Sequence, residues 1–170
     1  MKKSDNEKIN SYLIFKLGEE KFAVHAGKVR HILELVKINS IPRNPSFIKG
    51  IINLRGTALP VVDTPIIIGM CPTLFTPKTC IIVIEIIGIE EILEIGILVD
   101  SIQAVIEIEK QHIKKPPTIS VEKNNSFITG MVEYNEKYVK ILDIEKVFTI
   151  NEILSIKEVT DINIKEKQTI

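Results

Sequence analysis

The chain has no tryptophan and an aromatic share of only 5%, which removes the stacking platforms on which single-stranded nucleic acids are held. It has no charge excess. With 22 basic residues against 22 acidic ones, no global field draws it to nucleic acid or to an anionic membrane. It has two cysteines, Cys71 and Cys80, too few and wrongly spaced for a disulfide framework or a zinc site. They read as reduced thiols of an intracellular protein. Uninterrupted hydrophobic runs are missing as well: the most apolar segment, 80–99, carries Glu85, Glu90, Glu91 and Glu94, more carboxylates than a membrane span tolerates. Lys2-Lys3 leads into polar and acidic residues instead of the apolar core of a secretory signal. The expectation is a cytoplasmic protein with no membrane insertion and no nucleic-acid partner.

Catalytic signatures are equally scarce. No Gly-x-Ser-x-Gly, P-loop or dinucleotide glycine pattern occurs. His25, His31 and His112 stand far apart without cysteine or carboxylate partners at ligand spacing. Glu90-Glu91 has the composition of an acid/base pair, but neighbours on a strand point to opposite faces, so a solvated turn explains it better. Neither an enzyme, a metal site nor a cofactor is expected.

What the chain does have is aliphatic pattern, 45% hydrophobic residues against 26% charged ones, which is globular composition. Its centre is 47–63, FIKGIINLRGTALPVVD. Two β-branched runs flank Arg55-Gly56, a turn signal, and predict a hairpin with a charged side chain at its tip. The pattern returns without a gap at 127–143, FITGMVEYNEKYVKILD: Phe47 falls on Phe127, Gly50 on Gly130 and Asp63 on Asp143. A second match lays 24–29 over 97–102, so that Val29 overlies Ile102. The halves, about 12–63 and 79–143, therefore repeat the order hairpin, short helix, strand, hairpin. The short helix of the first half is placed within 26–35, from the spacing of Val29, Ile32 and Leu33. Pro60 marks its strand as an edge or a bulge, and the proline-rich segment 64–78 joins the halves.

Residues 1–10 read as a flexible N-terminus, 11–150 as one entwined unit, and 151–170 as a C-terminal helix or tail. Asp143 or a neighbour caps one helix running from Ile144 to about Glu158. Many short strands with frequent turns predict a mainly β fold of small antiparallel barrels. Each half is too small to bury a good core alone, so the two should share an interface.

FIKGIINLRGTALPVVD, preceded by YLIFKLGEEKFAVHAGKVRHI and followed by TCIIVIEI, GILVDSIQAV and FITGMVEY, resembles the CheW family of chemotaxis coupling proteins over Tyr12 to Phe148. The resemblance implies two five-stranded SH3-like barrels packed together, with short helices and a C-terminal helix. It also implies a non-enzymatic adaptor that bridges the cytoplasmic tip of methyl-accepting chemotaxis receptors to the regulatory domain of the histidine kinase CheA. Carried over by position, it points to a partner surface of Val29, His31, Gly50, Asn53, Arg55, Ile102 and Gly130. Two departures stand out: His31 occupies a position commonly acidic in relatives, and Thr64-Pro65 replaces the usual Leu-Arg after the aspartate.

Taken without the resemblance, these residues have plainer readings. Arg55 is then a solvated turn residue, Gly50 and Gly130 relieve strain or admit a backbone, and Val29 and Ile102 pack in a core. Two rival functions remain beside the adaptor: a small-molecule-binding barrel using the cleft between the halves, and a hydrolase.

Overall fold

The computed structural model describes residues 9–116 and 127–168, so the expectations for 1–8, 117–126 and 169–170 lie outside the described residues. Ten strands dominate: β1 (Ile9–Leu17), β2 (Glu20–His25), β3 (Val29–Glu34), β4 (Ile48–Leu54), β5 (Thr57–Val62), β6 (Cys80–Ile87), β7 (Ile92–Val99), β8 (Ser101–Glu109), β9 (Ile128–Tyr134) and β10 (Lys137–Leu142). Three α-helices accompany them, in chain order α1 (Thr64–Ile67), α2 (Ile144–Val147) and α3 (Ile150–Gln168).

The strands form two five-stranded sheets, ordered β8-β1-β2-β10-β9 and β3-β6-β7-β5-β4. Neither half of the chain builds a sheet by itself. Each sheet joins the first hairpin of one half to the last three strands of the other. Within each sheet one seam is parallel, β10 beside β2 and β5 beside β7, and every other pair is antiparallel. The all-antiparallel expectation misses those seams because the two strands meeting there come from different halves.

One bridge rounds off each sheet. Asn39, beyond β3, exchanges both backbone hydrogen bonds with Ile51 of β4 (2.9 and 2.8 Å), and Lys114, beyond β8, does the same with Met131 of β9 (2.8 Å each). These bonds tie the two edges of a sheet together, as barrel closure requires.

Three apolar clusters occupy the structure. Tyr12, Ile14, Ile108, Val139 and Ile141 fill the first barrel, and Ile52, Leu59, Ile81, Val83 and Leu98 fill the second. The largest lies between them: Leu13, Phe15, Ile82, Ile84, Ile95, Ile97 and Val99, with Ile156 and Val159 from α3. Strands β1, β6 and β7 are thus buried on both faces, which is why their sequences run apolar without alternation. These packed side chains fill the centre of the interface between the barrels.

Three local expectations are corrected. Ala26–Lys28 forms only a 3₁₀ turn, and Val29 begins strand β3; the helical spacing misled because Ile32 is 48% exposed instead of inward-facing. The second half has no counterpart to that turn, since Asp100 alone separates β7 from β8. Pro60 sits in an interior strand with no register shift at its position. Its partner Ile51 spends its N–H and C=O on Asn39, and the ladder to β7 begins only at Val61, so no bond is lost there. The C-terminal helix is two helices, broken at Phe148-Thr149. Thr149 and Glu152 form a reciprocal capping box (2.8 and 3.2 Å) that starts α3 afresh.

Candidate partner-binding surface

Arg55 and Gly56 make a two-residue turn between β4 and β5, with φ of 52° and 83°. Positive φ at both residues is the type I′ geometry that matches the twist of a hairpin. The turn is locked from below, because the Asn53 side-chain oxygen accepts the Gly56 N–H at 2.9 Å. Asn53 and Arg55 are both exposed, and among the described residues no hydrogen bond or ion pair engages the Arg55 guanidinium. The structure therefore brings these two together: one side chain sets the turn, the other projects from it.

Val29 and Ile102 are half-buried and pack on the central cluster at the seam between barrels. Both lie on strands, not on the short helices expected. Their equivalence survives in detail: Val29 pairs with Ile84 and Ile102 with Phe15, each beside a one-residue bulge. The bulge in β3 has a consequence for His31, which pairs with Val83. Val83 and Ile84 are successive residues on opposite faces, so Val29 and His31 also face opposite ways. They do not share one surface.

Gly50 and Gly130 are buried. Gly50 lies at φ +151°, and a Cβ there would overlap the Asn39 carbonyl oxygen; at Gly130 it would overlap Ile113 Cγ2. The backbone that approaches these glycines belongs to the chain itself, at the two closing bridges. That assigns them to barrel closure.

Several functional-looking contacts left no signal in the sequence. Asp63 is fully buried, and its carboxylate accepts the Thr73 N–H (3.3 Å to each oxygen) and hydroxyl (2.7 Å), with Lys49 Nζ at 3.5 Å. A buried carboxylate needs such partners, and here they fold the segment after α1 back onto the barrel. Its repeat mate Asp143 instead caps α2 by accepting the Glu145 N–H at 3.0 Å. Glu145 spans the two sheets, taking Lys28 at 2.8 Å and the Ile87 N–H at 3.0 Å. Arg30 pairs with Glu85 at 2.6 Å, and the Arg30 hydrogen bond and charge hold the Glu85 carboxyl below its ordinary pKa. The replacement of Leu-Arg by Thr64-Pro65 starts α1 with proline in its first turn, where a missing N–H costs nothing.

An open cleft of about 770 Å³ lies under 65–78 against the first barrel, lined by Lys16, Lys78, Asp100, Met70 and Leu74 among others. Its charges do not favour one sign of ligand, and no group of three or more His, Cys, Asp or Glu among the described residues is arranged to hold a metal. No helix among the described residues is long and apolar enough to cross a membrane.

Comparison with known proteins gives one consistent answer. Residues 11–152 match the model of the CheW-like domain. The probable chemotaxis protein CheW of Rhizobium etli is 27% identical over 147 residues, spanning 86% of this chain and 92% of that protein. The chemotaxis protein CheW of Klebsiella aerogenes is 28% identical over 148 residues, 87% of each chain. The crystal structure of the scaffolding protein TtCheW from Thermoanaerobacter tengcongensis superposes with a TM-score of 0.72 at 30% identity, covering 84% of this chain and 90% of that one.

Proposed function

This chain belongs to the CheW-like domain family, and from that premise we propose that it is a non-enzymatic adaptor coupling methyl-accepting chemotaxis receptors to the regulatory domain of the histidine kinase CheA. It works in the cytoplasm, recruited to receptor arrays at the inner face of the membrane. The observation that carries this reading is the Arg55 turn: a guanidinium with no partner among the described residues, held out on a backbone fixed by Asn53. A planar, permanently charged fork on a rigid mount is a good interface anchor, since little conformational freedom is lost when it binds. Val29 and Ile102 add apolar contact at the seam between barrels, and His31 contributes from the other face of β3. Gly50 and Gly130 support the surface by closing the barrels.

An adaptor of this kind transmits a receptor's conformational change by binding its states unequally. Individual contacts of modest size suffice where many copies are held in one array. The test is a titration of the full chain with CheA regulatory domain and, separately, with receptor tip. Binding in the micromolar range is expected for both, and Arg55→Ala should weaken at least one of them about tenfold while leaving the thermal melt unchanged. Undiminished binding of both partners by Arg55→Ala refutes the role given to the turn; absence of binding to either partner refutes the adaptor reading.

A further inference from the structure

The β6–β7 hairpin ends in aliphatic side chains that nothing in the described molecule covers. Ile87 and Ile92 are cross-strand partners on one face of the hairpin, 65% and 67% exposed, and Ile89 in the intervening turn is 52% exposed. Helix α3 extends the same surface. Its Lys157 reaches the Glu91 carboxylate at 3.1 Å, which brings that flank of the helix beside the turn. Leu154 and Ile150 lie on the same ridge as Lys157, three and seven residues back, and both are exposed.

The surroundings are acidic. Glu90 and Glu94 are exposed and have no ion-pair partner among the described residues, while Glu91 holds Lys157 and Glu85 holds Arg30. Lys157 is outnumbered: the hydrogen bond and charge of Glu91, with Asp161 and Glu90 beyond it, raise its pKa above the ordinary lysine value. The hairpin projects beyond its neighbours: β3 pairs with β6 only as far as Ile84, and β5 pairs with β7 only at Gly96 and Ile97. The Ile87 N–H is already taken by Glu145 at 3.0 Å, and the exposed aliphatic face with its acidic rim is what this end of the hairpin offers a partner's side chains.

We propose that the β6–β7 turn and the adjoining ridge of α3 dock a cationic amphipathic helix, whose aliphatic stripe covers Ile87, Ile92 and Leu154 and whose lysines or arginines face Glu90 and Glu94. An aliphatic ridge beside a hairpin face fits the i, i+3, i+4, i+7 anchors of such a helix, and the acidic rim selects its charge. Its residues are not those of the Arg55 turn, so the two readings are tested by different variants.

The test uses the full chain and a fluorescent 18-residue peptide of leucine and lysine with leucines in one helical stripe, followed by anisotropy. The peptide should bind in the micromolar range. Ile87→Ser with Ile92→Ser should weaken it about tenfold or more, Glu90→Gln with Glu94→Gln should weaken it comparably, and added salt should do the same. All four side chains are exposed, and unchanged melts of the variants show that the fold is intact. No binding, equal binding of a leucine–glutamate peptide with the same stripe, or full binding by the serine variant overturns the proposal. Concentration-dependent self-association that Ile92→Ser abolishes would assign the surface to a second copy of the chain and also overturn it.

Discussion

Replacing Gly50 by alanine attacks the second barrel at its closing bond. The residue lies at φ +151°, where an L side chain is strained, and the added Cβ would sit 2.7 Å from the Asn39 carbonyl carbon and 2.9 Å from Ile38 Cγ2. Backbone strain of this kind costs about 1–3 kcal/mol. Relieving the clash moves Asn39 away from Ile51, which forfeits the two hydrogen bonds between them, each worth about 0.5–1.5 kcal/mol net. The sum is about 2–6 kcal/mol, a fall in Tm of about 4–24 °C for a chain of this size. Gly56→Ala is the control: it also lies at positive φ, +83°, but nothing stands within 4 Å of its Cβ, so it carries the strain alone. Gly130→Ala has ordinary φ and meets mainly the rotatable Ile113 side chain, so it too should cost less than Gly50→Ala. Urea unfolding of the three variants measures the order directly. If Gly50→Ala is no more destabilising than Gly56→Ala, the closing bridge does not depend on the glycine.

Other perturbations have equally direct readouts. Ile156→Ala should destabilise by about 2–5 kcal/mol in urea unfolding, because this helix residue is 1% exposed in the central cluster although it lies beyond the matched family domain. Thr73→Val should cost about 1–3 kcal/mol, since it deletes the 2.7 Å hydroxyl bond to the buried Asp63 carboxylate. The Glu85 carboxyl titrates below its ordinary value because of Arg30. The folded state therefore binds that proton less readily than the unfolded state, and the stabilisation is present above the unfolded pKa and lost as pH falls through the folded one. Arg30→Gln should move the Glu85 side-chain carbon titration upward by NMR, and an unmoved midpoint would exclude Arg30 as the cause.

The sequence made the architecture legible where side-chain periodicity and repetition carry it. The constant offset from Phe47–Asp63 to Phe127–Asp143 corresponds to a shared bond: the Asp63 N–H meets the Phe47 carbonyl and the Asp143 N–H meets the Phe127 carbonyl, both at 2.7 Å. The exchange of strands between halves was not legible, because pairing across the parallel seams leaves no local pattern. Bulges were hidden for a related reason. One extra residue at Arg30 reverses the facing of the strand beyond it, so the positions carried over from the family, Val29 and His31, lie on opposite faces. The Asn53–Arg55 turn was readable because its chemistry is local, whereas the partners of Gly50 and Asp63 lie in segments whose approach only the folded chain reveals.

The duplication also argues for where a partner binds. Both late hairpins use a bulge, the same closing aspartate bond and a turn with two positive φ values, 52° and 83° at Arg55-Gly56, 50° and 65° at Asn135-Glu136. Glycine takes the second position without strain, while Glu136 holds it at the cost a side chain brings to that region. With the backbone in common, the difference between the two tips is chemical: one displays a guanidinium, the other an amide and a carboxylate. A surface that reads barrel geometry alone would accept either hairpin. On the proposed reading the tip side chains select between the two barrels, and grafting Asn135-Glu136 into positions 55 and 56 should abolish Arg55-dependent binding while leaving the second barrel closed.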